Sequence, residues 1–143
     1  MNCSSKDIRK KLKNIWPTLK HIWLTDRIYY LPTYEEVRKI VAKQDTKNYK
    51  WKKNVLECEE FSLFLHSDLK KETSNNPLYN YTWAFGEAIG LNFDNGERGP
   101  HKLNICITNT NIYLIEPQTF QIWKITEKSK NEYDPNFIFY LTM

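Results

Sequence analysis

The sequence predicts an α+β protein, with helices in the first half and an antiparallel sheet in the last third. Two observations lead to this prediction. Apolar residues recur at helical spacing within residues 4–15, 34–43 and 54–71. From residue 101 onward, short runs of alternating apolar and polar residues are separated by turn signals. A chain of 143 residues can bury one core, so we expect a single domain over residues 1–143, in which residues 1–23 could form an N-terminal helical extension.

The first two helices are predicted from their ends. A helix over residues 4–15 stops before Pro17, because the residue preceding a proline avoids the helical conformation. Thr33 and Glu36 have the spacing of a capping box, and a second helix is expected from there to about Lys43. Residues 44–53 are polar and basic and are predicted to be a loop.

Strands are predicted where β-branched and aromatic residues cluster or alternate. Gly86 and Gly90 interrupt one of these runs and predict a bulge or a close approach of two backbones. The predicted strands, the first of which could also be an extended segment, are 22–30, 79–91, 101–108, 111–116, 120–125 and 137–141.

Composition and charge exclude several classes of protein. No apolar run is long enough for a membrane span, and the first residues lack the apolar stretch of a signal peptide. Three cysteines, none in a CxxC spacing, argue against a disulfide framework and indicate a reducing compartment. Residues 1–53 hold 14 Lys/Arg against 5 Asp/Glu, a net charge of +9. Such a basic segment could contact nucleic acid, but a solvated surface is favoured, so we do not expect a nucleic-acid partner.

A cysteine lies near the start of the third predicted helix. Asn54 and Glu57 have the spacing of a capping box, which would place Cys58 close to the first turn of a helix that ends near Lys70 or Lys71. A thiol at a helix N-terminus can be activated as a thiolate nucleophile. The alternative is a small core residue, and the neighbouring acids oppose thiolate formation. The residues alone leave both interpretations open.

A partner base for Cys58 can be sought among three histidines. His66 is eight residues further along the same predicted helix, about 12 Å of rise away, and cannot reach the thiol. His21 lies in the basic N-terminal part of the chain. His101 opens a predicted strand, where a loop could bring it to the helix N-terminus, although it could equally be an ordinary loop histidine.

Glu116 can reach His101 only in one hairpin register. If Thr108 pairs with Asn111 around a two-residue turn, Glu116 and His101 lie on the same face of the sheet, one diagonal step apart, at about 7–8 Å between Cα atoms. A three-residue turn would move Glu116 to the other face. The alternative for Glu116 is a solvated carboxylate at the end of a strand.

Four short motifs, in order, resemble one family. The pattern is similar to the papain-like cysteine peptidase group that includes the peptidase domain of Marasmius oreades agglutinin and its small phage and bacterial relatives. The motifs span much of residues 24–143 and read Glu57-Cys58-Glu59-Glu60-Phe61-Ser62, Trp83-Ala84-Phe85-Gly86, Gly99-Pro100-His101-Lys102-Leu103-Asn104-Ile105 and Glu116-Pro117-Gln118-Thr119.

The resemblance implies a fold and an activity. The fold would be papain-like, with a central Cys-bearing helix packed on a C-terminal antiparallel sheet. The activity would be that of a thiol hydrolase that cleaves a peptide or isopeptide amide of a protein or peptide substrate. Cys58 would be the nucleophile, His101 the general base and acid, and Glu116 the residue that orients His101. Trp51, Trp83 and Trp123 are expected to be aromatic residues of the cleft or the core, with the core favoured.

The resemblance also implies calcium, held by Glu59, Glu60 and Gln118. All three acids flanking Cys58 are Glu where the family usually has Asp, and Lys52 stands where papain-type enzymes have a Gln. These departures keep a second hypothesis open: a catalytically silent papain-like fold that acts as a protein-binding module or as a phage-encoded inhibitor of a host protein. In either case we expect a cytoplasmic protein, in the host cytoplasm if it is phage-encoded.

Overall fold

The computed structural model describes residues 1–97 and 99–143. The helices are α1 (Ser5–Ile15), α2 (Tyr34–Ala42) and α3 (Cys58–Ser74), with a 3₁₀ turn at Thr46–Asn48. The strands are β1 (Asn2–Ser4), β2 (His21–Trp23), β3 (Ile28–Tyr30), β4 (Phe85–Leu91), β5 (His101–Ile107), β6 (Ile112–Ile115), β7 (Ile122–Ile125) and β8 (Phe137–Thr142).

The ends of α1 and α2 agree with the sequence prediction. Helix α1 ends at Trp16, whose N–H donates to Leu12 O at 2.8 Å. Helix α2 begins with the predicted capping box. The N–H of Glu36 donates to Thr33 Oγ1 at 3.2 Å, and the N–H of Thr33 donates to Glu36 Oε2 at 2.7 Å. These two reciprocal bonds satisfy backbone donors that the first turn of a helix leaves free.

Helix α3 differs from its prediction at both ends. Asn54 is not its N-cap, since Asn54 has a φ of 59° and lies before the helix. The N-cap is Glu57, whose N–H donates to Glu60 Oε2 at 2.8 Å, so the helix begins at Cys58. The helix also continues to Ser74, past the predicted end at Lys70 or Lys71. Asn is a much more common N-cap residue than Glu, so the sequence favoured Asn54 over Glu57 as the start of the helix.

A six-stranded sheet forms the centre of the molecule, in the order β2-β8-β4-β5-β6-β7. Its pairs are antiparallel except that of β2 with β8, which is parallel. Strands β1 and β3 form a separate two-stranded antiparallel sheet. The sheet therefore takes one of its strands from the N-terminal part of the chain.

Both faces of the large sheet are buried, because apolar residues of one strand alternate between two cores. Leu103, Ile105 and Ile107 of β5 belong to the core that contains Ile8 and Leu12 of α1. Cys106, between them, belongs to a second core with residues of α2 and α3. Helix α1 thus covers one face of the sheet, and α2 and α3 cover the other.

A close backbone approach, predicted from the glycines, is present between β4 and β8. A Cβ built on Gly86 would lie 1.9 Å from the carbonyl oxygen of Thr142, which leaves room only for a glycine. The pairing of the same two strands shifts register between Ile89 and Gly90. One or the other of these features was expected of the two glycines, and the structure contains both.

The predicted fold class is wrong. We expected an α+β, papain-like arrangement of N-terminal helices followed by a C-terminal sheet. The described residues instead contain eight strands against three α-helices, and β1–β3 all lie within the first 30 residues. Each of these early strands is three residues long. Such short runs carry too little alternation to be distinguished from loops, so their pairing partners decide their structure.

None of the helices in the described residues combines the length and the apolar character that a membrane span requires.

Candidate functional site

Strands β5 and β6 bring His101 and Glu116 together. The N–H of Thr108 donates to Asn111 O at 2.8 Å across a two-residue turn, and Ile107 pairs with Ile112. This is the register that the sequence argument required. His101 Nε2 lies 2.7 Å from Glu116 Oε2, and the two side chains are only 7% and 5% exposed. The predicted proximity of this buried pair is confirmed.

Glu116 is held by further hydrogen bonds. Its Oε2 also accepts a hydrogen bond from Asn95 Nδ2 at 3.1 Å, and its Oε1 accepts one from the N–H of Gln118 at 3.2 Å. Donors on both oxygens fix the carboxylate in one orientation. Asn95 stands in an Asp-Asn-Gly run, a turn signal that gives no sign of a contact with Glu116.

Cys58 at the start of α3 completes this cluster. Burial lowers the pKa of His101, but hydrogen bonds to Cys58 and Glu116 outweigh burial and raise that pKa to about 10. The raised pKa favours the imidazolium form of His101, which lies between the sulfur of Cys58 and the carboxylate of Glu116. The structure thus brings together Cys58, His101 and Glu116; their catalytic role stays a prediction.

An open cleft of about 320 Å³ runs past Cys58 and His101. Its lining is polar apart from one aromatic side chain, Trp51, which is 55% exposed. The residues that line the cleft are Trp51, Glu57, Cys58, Glu59, Glu97, His101 and Gln118. Trp51 and Glu97 were not predicted as site residues, although Trp51 was considered as a cleft aromatic. The other two tryptophans lie elsewhere: Trp83 is 2% exposed in the core, and Trp123 donates to Asn136 Oδ1 at 3.2 Å.

The residues expected to hold calcium are only partly gathered. Glu59 and Gln118 line the cleft, and Cys58 Sγ donates to Glu59 Oε2 at 3.4 Å. Glu60 is engaged in the capping of α3. Calcium at Glu59, Glu60 and Gln118 stays a prediction. A different group, Glu97 with His101 and Glu116, places its possible ligand atoms within 4.8 Å of one another.

Two other polar clusters lie outside the cleft. His66 Nδ1 lies 2.8 Å from Glu87 Oε2, so His66 ties α3 to β4 and does not contact Cys58, as predicted. Asn104 is fully buried and donates to Ser62 O at 2.9 Å and to Gly86 O at 3.1 Å. This amide links α3 to the sheet directly beneath the cleft-bearing end of the helix.

No family model matches the chain, and no curated protein matches it either. Solved structures do match. A complex of PSL1a with E64 has a TM-score of 0.76 and 17% sequence identity, covering 99% of this chain and 51% of the other. The lectin of Polyporus squamosus, bound to the human-type influenza-binding epitope Neu5Acα2-6Galβ1-4GlcNAc, has a TM-score of 0.73 and 14% identity, covering 99% of this chain and 49% of the other.

The chain has the fold of about half of a fungal lectin. At such low identity the likeness shows the fold alone. It also corrects the family prediction: membership of the papain-like peptidase group is wrong, because the two solved structures compared above are those of a lectin. The predicted thiol hydrolase, its description as a phage cysteine protease and its peptide substrate are corrected with it. Four short motifs were too little sequence to establish a family.

Proposed function

We propose that this chain is a binding module for a neutral glycan and that the ligand lies in the cleft beside Trp51. The observation that carries the proposal is the exposed face of Trp51 over a cleft whose other lining residues are polar. A sugar ring has one face of C–H groups and a rim of hydroxyls. An exposed indole offers an apolar surface to the first, and carboxylates and amides accept or donate hydrogen bonds to the second.

The charges of the described cleft lining favour a neutral ligand, because three glutamates outnumber the imidazolium of His101. Glu57, Glu59 and Glu97 line its open part, and each is at least partly exposed. Carboxylates accept hydrogen bonds from sugar hydroxyls but repel the carboxylate of an acidic sugar. We therefore expect preference for neutral glycans over sialylated ones, unlike the epitope named with the Polyporus squamosus lectin. Because the chain spans about half the length of that lectin, we take from the lectin only that the ligand is a glycan, and not which glycan it is.

Two further parts of the proposal concern the whole chain. We expect residues 1–143 to act as one binding unit, since the core that contains Ile8 of α1 also contains Met143 at the far end of the chain. A cytoplasmic location is supported by three free cysteines, which fit a reducing compartment.

The test is a glycan array with the full chain, followed by calorimetric titration of the best neutral and sialylated ligands. Trp51→Ala should weaken binding of the neutral glycan at least about tenfold, the loss of roughly 1.4 kcal/mol of stacking. Trp23→Ala is the matched control, because Trp23 is 64% exposed and does not line the cleft. Absence of glycan binding, or equal binding by the two variants, would contradict the proposal.

A further inference from the structure

Three potential metal ligands meet at the cleft, which two of them, Glu97 and His101, line. Glu97 follows the turn at residues 94–96, His101 opens β5 and Glu116 follows the end of β6. Their candidate ligand atoms all lie within 4.8 Å of one another. We propose that Glu97, His101 and Glu116 bind a divalent cation of the zinc class. The proposal goes beyond glycan binding and does not depend on it.

The donor set points to a transition metal. One imidazole nitrogen and two carboxylate oxygens are typical of zinc and its first-row neighbours, whereas calcium takes six to eight oxygens. A divalent cation that displaces the proton of His101 would neutralise the charges of the two glutamates. Three protein ligands leave one tetrahedral position open toward the cleft, where a water or the neighbouring Cys58 thiolate could complete the coordination.

The distances require Glu97 to approach and the other two ligands to separate slightly. Two ligands at about 2.1 Å from a tetrahedral ion lie about 3.4 Å apart. His101 Nε2 and Glu116 Oε2, now 2.7 Å apart, would open slightly as the ion replaces the proton between them. Glu97, whose ligand atom lies within 4.8 Å of the other two, would move closer to them. Its side chain is exposed and can do so, whereas the other two are buried and already held in place.

Bonds around the ligands support the site. Glu116 accepts from Asn95 Nδ2 and from the N–H of Gln118. Such outer hydrogen bonds hold a ligating carboxylate in orientation and are a regular part of protein metal sites. These two hydrogen bonds would also keep Glu116, the least exposed of the three ligands, in position when the ion breaks its hydrogen bond to His101.

The experiment is titration of Zn²⁺ into chelator-treated full chain, followed by calorimetry, with Co²⁺ absorption as a second readout. We expect one ion per chain. Glu97→Gln should weaken Zn²⁺ binding at least about tenfold, and His101→Gln should abolish it. Glu127→Gln and His21→Gln are matched controls, since both residues are exposed and lie outside the cluster. Glu97→Gln alters an exposed side chain, so it keeps the test valid even if the His101 variant does not fold.

Each outcome decides the proposal. Binding of Zn²⁺ that falls in Glu97→Gln but not in Glu127→Gln supports it. Binding of Zn²⁺ unchanged in Glu97→Gln, absence of Zn²⁺ binding, or binding of Ca²⁺ alone would overturn it. A thiolate-to-Co²⁺ charge-transfer band that is lost in Cys58→Ser would identify Cys58 as the fourth ligand, and this result also supports the site. Glycan binding measured in excess chelator separates failure of the metal site from failure of the proposed function.

Discussion

Asn104 connects α3 to the sheet, and its replacement by Ala should destabilise the protein by about 2–3 kcal/mol. Its side-chain amide is fully buried and donates to the carbonyls of Ser62 in α3 and Gly86 in β4. Each of these hydrogen bonds contributes about 1 kcal/mol to the free energy of unfolding. The cavity left by the truncated side chain adds about 1 kcal/mol or more. Asn104 Oδ1 has no partner, so removing it offsets part of this loss.

The measurement is urea denaturation followed by circular dichroism, supported by thermal unfolding. For a chain of this length, 2–3 kcal/mol corresponds to a decrease in Tm of roughly 6–12 °C. Asn104→Asp should cost more than Asn104→Ala, since a buried carboxylate would face two carbonyl oxygens. Asn80→Ala, at an exposed position, should change stability by less than about 0.5 kcal/mol. A similarly small effect of Asn104→Ala would refute the reasoning.

Three more predictions concern the sheet and the cluster. Gly86→Ala should cost more than about 3 kcal/mol and reduce soluble yield, because its Cβ would overlap a backbone oxygen of β8. Iodoacetamide should label Cys58, and the rate of this labelling should fall at least about tenfold in His101→Ala. Cys106 is fully buried and burial raises its pKa, so it should stay unlabelled in the folded protein. His101 has its pKa raised to about 10 by Cys58 and Glu116 against the opposing effect of burial, so its stabilising contribution is complete below about pH 6.5 and is lost as pH rises toward 10. The difference in Tm between the parent and His101→Gln should therefore shrink over that range.

Controls within the chain sharpen these tests. Gly96→Ala meets no atom within 4 Å, so it should cost only about 1 kcal/mol, the strain of its φ of +88°. Equal loss in Gly86→Ala and Gly96→Ala would contradict the close-approach argument. His21→Gln should leave the pH dependence of Tm unchanged, since His21 is exposed. Labelling of Cys58 at the same rate with and without His101 would show that the two side chains do not interact in solution.

Much of the site geometry could be predicted from local sequence. The two-residue turn at Asn109-Thr110 sets the register of β5 on β6, and that register places Glu116 beside His101. Since side chains alternate along a strand, one correct turn length determines which residues share a face. The capping box of Thr33 and Glu36 was also predictable, because its hydrogen bonds join residues only three positions apart in the sequence.

Family membership could not be obtained in this way. Short motifs around Cys58, His101 and Glu116 predicted a papain-like peptidase, and the two structures compared above, which share the fold, are those of a lectin. Each motif covers a few residues whose types also serve capping, turns and sheet packing. Glu60 is an example, since its carboxylate caps α3.

The sequence by itself determined what depends on neighbours along the chain: the first two helices, the alternation in β5 and the hairpin that pairs His101 with Glu116. Tertiary structure alone decided that β2 pairs with β8, whose partner residues are 119 positions apart along the chain, and that Trp51 and Glu97 join the cleft. Three-residue strands and loop side chains carry no periodic signal of their own. Their positions follow from packing against distant residues, and only the folded chain brings those residues together.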